Sequence, residues 1–359
     1  MARRRRDAEE ALSLGESLLA KAAEAHASGN LAEAELEGKR ARRVLVTALG
    51  PRDPNLAPAL VTLARLRSDA GDPDGAARLY LKAAALLVRH RGDAETLAFE
   101  VDARRGAGYE LIAVARYDKA QNCLENTLRL CRRLPDELET AKTLNALGML
   151  CKYTGRFVSG LRYYRRALEI LERLAPDSDE LATLHHNLGG IHHAAGDLAA
   201  ALPHARESVR RRGAIDGPDA LTTAIERAAL APILDGLGEQ DEAAAIYRDV
   251  LPVFRAAGRD YDVAVTLHNL GASRAAAGDP AGAESAYREA ADLKARTLGA
   301  AHPDHALTLH NLAVLIADTR PGEARKLAAD AARVLSAAFG PEHPHVVAAR
   351  EHADELGAG

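Results

Sequence analysis

Small apolar residues recur along this chain at two fixed distances from a repeated short turn. The turn slot holds Gly29, Gly71, Ala115, Gly155, Gly196, Gly238, Gly278 and Thr319, at spacings of 42, 44, 40, 41, 42, 40 and 41 residues. Five residues later stand Ala34, Ala76, Ala120, Gly160, Ala201, Ala243, Ala283 and Ala324. About seven residues before the turn stand Ala22, Ala64, Gly108, Gly148, Gly189, Ala231, Gly271 and Ala313. A period this regular, with Ala or Gly in every slot of both columns, marks a tandem repeat. The reason is steric: two antiparallel helices approach closely only where neither carries a large side chain at the crossing. Each unit therefore reads as helix A, tight turn, helix B and loop.

A third column supplies the filler. Tyr80, Leu124, Tyr164, Tyr247 and Tyr287 stand four residues beyond the small residue that follows each turn. Gly38, Ala205 and Ala328 interrupt it, so the first, fifth and eighth units are expected to pack less tightly. Between units the chain carries Leu49-Gly50-Pro51-Arg52-Asp53-Pro54, and the same shape returns at Leu298–Pro303 and Phe339–Pro344. Gly past one helix and Pro before the next form a stop–start pair. The pattern predicts eight helix pairs and a last helix from about His345 to Leu356. Pro232, and Pro203 unless it lies in a first turn, are expected to kink their helices.

The stretch from Thr266 to Asp304 reads TLHNLGASRAAAGDPAGAESAYREAADLKARTLGAAHPD. It resembles the long tetratricopeptide repeat of kinesin light chains and related bacterial proteins, and the resemblance covers about residues 11–340. It implies an all-α fold, a right-handed superhelical solenoid of about eight helix-turn-helix repeats with a C-terminal capping helix. The implied organisation is a disordered basic N-terminus over 1–10, repeats over 11–343, and a cap and tail over 344–359. Such motifs specify fold and say little of function, because the same repeat serves unrelated adaptors and sensors.

Composition narrows the function classes. Hydrophobic residues make up 47% of the chain, yet aromatics are only 4% and Trp is absent, so Ala, Leu and Val supply the apolar mass, as close helix packing requires. With 47 basic against 51 acidic residues, a broad nucleic-acid surface is not expected. The basic run Arg3 to Arg6 leads into Asp7, Glu9 and Glu10, so it does not read as a signal peptide. No segment approaches the ~18 uninterrupted apolar residues of a membrane span. Cys123, Cys131 and Cys151 lack paired metal spacing and fit a reducing, cytoplasmic setting. There is no Walker A sequence, GxGxxG, HExxH or CxxC, so neither an enzyme nor a cofactor is expected. His185, His186, His192 and His193 crowd one helix, but same-face pairs are seven apart, about 10.5 Å along the axis, too far for one metal ion.

In the resembled architecture the A helices line a concave groove. One groove-facing column holds Arg105, Asn145, His186, His268 and His310, and the next holds Asn187, Asn269 and Asn311. Three units thus present a His–Asn pair. A carboxamide offers donors and an acceptor, so it can clamp the backbone of an extended peptide without reading side chains. The resembled family uses groove asparagines in that way. Tyr109, Lys152, Tyr153 and His193 extend the lining and add positive charge suited to a carboxylate-bearing peptide. These residues predict a scaffold or adaptor for another protein or peptide. The alternative is a sensor whose shape change on binding controls a partner.

Overall fold

The computed structural model describes residues 2–90, 92–339 and 344–358. Seventeen α-helices run through them, and no strand occurs among the described residues. The A/B pairs are α1 (Ala2–Ala27) with α2 (Leu31–Leu49), α3 (Ala57–Asp69) with α4 (Pro73–Leu87), and α5 (Ala94–Ala113) with α6 (Tyr117–Cys131). Next come α7 (Leu138–Tyr153) with α8 (Phe157–Leu174), α9 (Asp179–Ala194) with α10 (Leu198–Asp216), and α11 (Leu221–Leu237) with α12 (Gln240–Ala256). The series closes with α13 (Asp260–Ala276) and α14 (Pro280–Leu298), α15 (Pro303–Ile316) and α16 (Pro321–Phe339), and the single helix α17 (Pro344–Ala358). Two compact bodies result, Met1–Asn187 and Leu188–Gly359. Helical backbone is described from Ala2, through the basic run where the sequence suggests a disordered end. The Gly340-Pro341-Glu342-His343 loop signal lies outside the described residues.

The small columns sit where the steric argument puts them. Every alanine in both is 0% exposed, and the glycines among them are buried too. The filler faces them directly. A Cβ on Gly108 would stand 2.4 Å from Leu124 Cδ2, and one on Gly271 would stand 2.8 Å from the Tyr287 ring. In the fifth unit, where the filler is only Ala205, the chain closes on backbone instead: a Cβ on Gly189 would meet Ala205 N at 3.3 Å. The missing filler is thus offset there by nearer approach.

Seven of the eight turns share one form. Six glycines hold φ between 68° and 86°, and Ala115 holds 55°. After each, the next N–H donates back five residues, as Asp72 does to Arg67 O and Arg156 to Cys151 O, both at 2.8 Å. That is the helix-ending motif in which a left-handed residue satisfies orphan carbonyls. Thr319 departs from it, and Arg320 N donates to Ile316 O, four residues back. Gly258, at φ 65°, repeats the tight form between α12 and α13, where a longer loop would be expected.

The residue that follows the turn has two uses. Asn30, Asp72, Asp197 and Asp279 each accept a backbone N–H three residues on and cap helix B. Arginine at this slot reaches the preceding B helix instead. Arg116 pairs with Asp74 at 3.0 Å, Arg156 donates to Gln121 at 3.0 Å, and Arg320 pairs with Glu284.

Pro203 is the sixth residue of α10, beyond its first turn, and Pro232 lies deep in α11. Each removes one donor, from Ala199 O and Ala228 O respectively, yet helix continues on both sides. Pro252 does the same within α12. None of the three ends its helix.

Among the described residues no helix is long and apolar enough to cross a membrane, and no group of three metal-ligating side chains occurs.

Candidate functional site

The A helices of the first body carry a ladder of alternating charge. Arg65 of α3 reaches Asp102 of α5 at 3.7 Å. Arg105 of α5 is held between Asp102 at 2.6 Å and Glu139 of α7 at 2.5 Å. Lys142, one turn along α7, joins Glu139 at 3.5 Å and Glu180 of α9 at 3.1 Å. The ladder arises because an acidic residue followed three positions later by a basic one recurs on successive A helices, as Asp102/Arg105 and Glu139/Lys142. Burial works against the Arg105 charge, but Glu139 and Asp102 outweigh it and hold the guanidinium above its ordinary pKa.

This changes the electrostatic expectation for the third unit. Arg105 is 7% exposed and has a carboxylate on either side, so it is a strut and not a free cation. Beside it the structure gathers further predicted residues. Arg105, Tyr109 and Asn145 line one depression together with Lys142, Glu180 and Thr183. Burial raises the Tyr109 phenol, whose hydroxyl shares a hydrogen bond with Asn145. Asn187 Nδ2 donates to Asn145 Oδ1 at 2.9 Å, so three A helices are joined through Tyr109, Asn145 and Asn187. His186 lies half-buried next to them.

Lys152 and Tyr153 end α7. Tyr153 is 57% exposed, whereas Lys152 is half-buried and desolvation lowers its ammonium pKa. His193 is exposed near the end of α9.

In the second body His268 is the centre of a polar chain. Its Nδ1 lies 3.0 Å from Thr308 Oγ1, which also accepts from Lys294 Nζ at 3.0 Å. Since Thr308 donates its own proton to Asp304 O, Nδ1 is the protonated nitrogen and Nε2 is free to accept. Asn311 Nδ2 stands 3.4 Å from that Nε2 and also shares a hydrogen bond with Tyr287. Burial, with Lys294 adding to it, pushes the His268 pKa down to about 4. His268 is therefore a neutral, half-buried link and not a groove cation. His310 also differs from an open groove residue, for the ring of His352 on α17 packs edge-on against it at 5.6 Å. Asn269 is half-buried and makes no side-chain hydrogen bond among the described residues.

Sequence reasoning missed Asp102, Glu139, Lys142 and Glu180, although their recurrence from helix to helix was visible. It also missed Lys294 and Thr308, for which no such signal exists.

The tetratricopeptide repeat family model matches residues 111–173, 180–256 and 262–337, and a second model of that description matches 59–95. Rap protein complexed with competence and sporulation factor is similar in structure, with a TM-score of 0.61 at 13% identity, over 97% of this chain and 97% of that one. NprR in complex with its cognate peptide NprX gives 0.55 at 16% identity, over 83% and 81%. BtubC (BKLC) from P. vanneervenii gives 0.54 at 22% identity, over 62% of this chain and 90% of that one. At these identities the likeness is one of fold. No curated protein matches the chain by sequence.

Proposed function

We propose, from the premise that this chain belongs to the tetratricopeptide repeat family, that it is a non-enzymatic scaffold holding an extended segment of another protein on the face built by its A helices. The observation that carries this reading is the convergence of Arg105, Tyr109 and Asn145 on one depression, with Asn187 linked to Asn145. Three successive A helices, α5, α7 and α9, present amide, phenol and fixed charge there, without a nucleophile–base pair among the lining residues. Each asparagine amide has more donors and acceptors than its internal bonds use, so main-chain groups of a peptide have partners. Asn269 has its full amide available, and Asn311 extends the same column in the second body.

A second reading, a regulator whose state depends on a bound peptide, is favoured by the likeness to NprR, whose structure holds its cognate peptide. The two readings differ in whether occupancy changes the protein. Hydrogen exchange along α5, α7 and α9 with and without peptide separates them, since a regulator would change protection along the ladder.

The direct test is selection of peptides from a displayed random library, followed by affinity measurements on an Asn187→Ala, Asn269→Ala, Asn311→Ala triple variant. Each truncation is expected to weaken binding by roughly 0.5–1.5 kcal/mol, the net worth of a neutral hydrogen bond. Selected peptides that bind the triple variant undiminished would move the site off these residues.

A further inference from the structure

A hollow of about 520 Å³ lies where the α6–α7 connection meets the second half of α8, a size typical of small-ligand sites. None of its lining residues belongs to the depression around Tyr109 and Asn145. Leu134, Pro135 and Ile170 give it an apolar wall, and the rest of the lining is polar or charged.

Thr140 lines this hollow with an unused hydroxyl. It is 8% exposed and has no side-chain hydrogen-bond partner among the described residues. Its place in the helix explains why. Thr143, one turn on, donates to Glu139 O at 2.8 Å, the carbonyl four residues back. Thr140 is the third residue of α7, so the carbonyl four residues back lies outside the helix. The N-cap residue Glu137 makes no side-chain cap bond, and the N-terminal end of a helix favours a negative group.

Two arginines line the hollow without partners of their own. Arg166 stands six residues after the small residue Gly160. In the fifth, sixth and seventh repeats that position carries a paired carboxylate: Glu207 with Arg210, Asp249 with Arg227 and Glu289 with Arg255. Arg166 makes no ion pair or side-chain hydrogen bond among the described residues, and neither does Arg132. The acids of the lining are mostly engaged. Glu137 pairs with Arg173, and Asp136 Oδ1 accepts from Leu138 N at 2.8 Å. Glu169 is the one carboxylate there without a partner among the described residues.

We infer that this hollow holds a small zwitterion, a free α-amino acid with an apolar side chain. Its carboxylate accepts from Thr140 Oγ1 and the two guanidinium groups, and its ammonium donates to Glu169. Its side chain covers the wall of Leu134, Pro135 and Ile170. The choice follows from the groups left over: a simple anion leaves Glu169 unmatched, a simple cation leaves both arginines unmatched. The planar fork of arginine suits the two oxygens of a carboxylate. The inference does not depend on the asparagine face, because the two sites share no residue.

The test is calorimetry and methyl NMR on the full chain with L-leucine, leucinamide and N-acetyl-leucine. Leucine should bind and shift the Ile170 methyl resonance. Leucinamide and N-acetyl-leucine, which each lack one charge, should bind roughly tenfold more weakly. Arg166→Gln should bring leucine down toward leucinamide, and Glu169→Gln should bring it down to N-acetyl-leucine. Thr140→Val keeps the side-chain shape, so it should weaken leucine binding without a drop in Tm. An Ile170 resonance unmoved by millimolar leucine would overturn the inference. So would N-acetyl-leucine binding as tightly as leucine, or a penalty for it that survives Glu169→Gln.

Discussion

A methyl group on Gly148 would stand 2.3 Å from Cε1 of Tyr164, nearer than two carbon atoms can come. The glycine is the space in which the aromatic ring lies. Gly148→Ala should therefore destabilise the first body by about 1–3 kcal/mol through overpacking. Gly189→Ala offers the control, since its Cβ would meet Ala205 N at 3.3 Å and neighbours need move only slightly. Denaturant titration of the two variants should show the larger loss for Gly148→Ala. Equal losses would mean that the ring is free to move aside.

Ala115 is the one non-glycine residue with positive φ among the described residues. An L-residue pays roughly 1–2 kcal/mol for that conformation, part of which glycine returns as unfolded-state entropy. Ala115→Gly should raise stability by up to about 1 kcal/mol, and Gly155→Ala, in the equivalent turn, should lower it. A thermal melt of each variant gives the sign directly.

His268 makes stability depend on pH. Its folded pKa of about 4 lies below the ordinary 6.5, so between those values the unfolded chain holds the extra proton. Stability is then fully present above pH 6.5 and falls as pH drops toward 4. The full loss is on the order of 3 kcal/mol. His268→Gln, which cannot titrate, should flatten the fall over that window when unfolding free energies are measured at several pH values. An unchanged slope would place the acid sensitivity on other groups.

Arg105 closes the ladder between α5 and α7. Replacing it with Met keeps the stem and removes the charge, leaving Asp102 and Glu139 2 residues of like sign without their shared cation. The expected loss is about 3–5 kcal/mol, because a buried pair is broken from one side. Adding Glu139→Gln should recover part of it. A double-mutant cycle by chemical denaturation measures that recovery, and strict additivity would show that the contact carries no coupling.

The repeat was legible in the sequence because its determinants are steric and local. Gly or Ala at every crossing and glycine at six of the eight turns leave marks at a fixed period, and the sixteen paired helices follow from them. The site was less legible. A column position told which residues lie on one face, but not whether a charge there is already paired. Arg105 and His268 look like open groove residues until the neighbours that neutralise or bury them are seen, and Glu139 and Thr308 among those neighbours lie 34 and 40 positions away in sequence. Harder still to foresee is the hydroxyl of Tyr164, fully buried and without a hydrogen-bond partner among the described residues.

Hydrogen bonds that join neighbouring repeats span about one repeat of sequence, 43 positions from Tyr261 to Asp304 and from His26 to Asp69. A chain growing from the ribosome therefore meets the partners of each residue within about one more repeat of synthesis. Contacts this close in sequence form with little loop-closure entropy. The early repeats can thus be bonded while the later ones are still untranslated, leaving about one helix face to be covered by the repeat that follows.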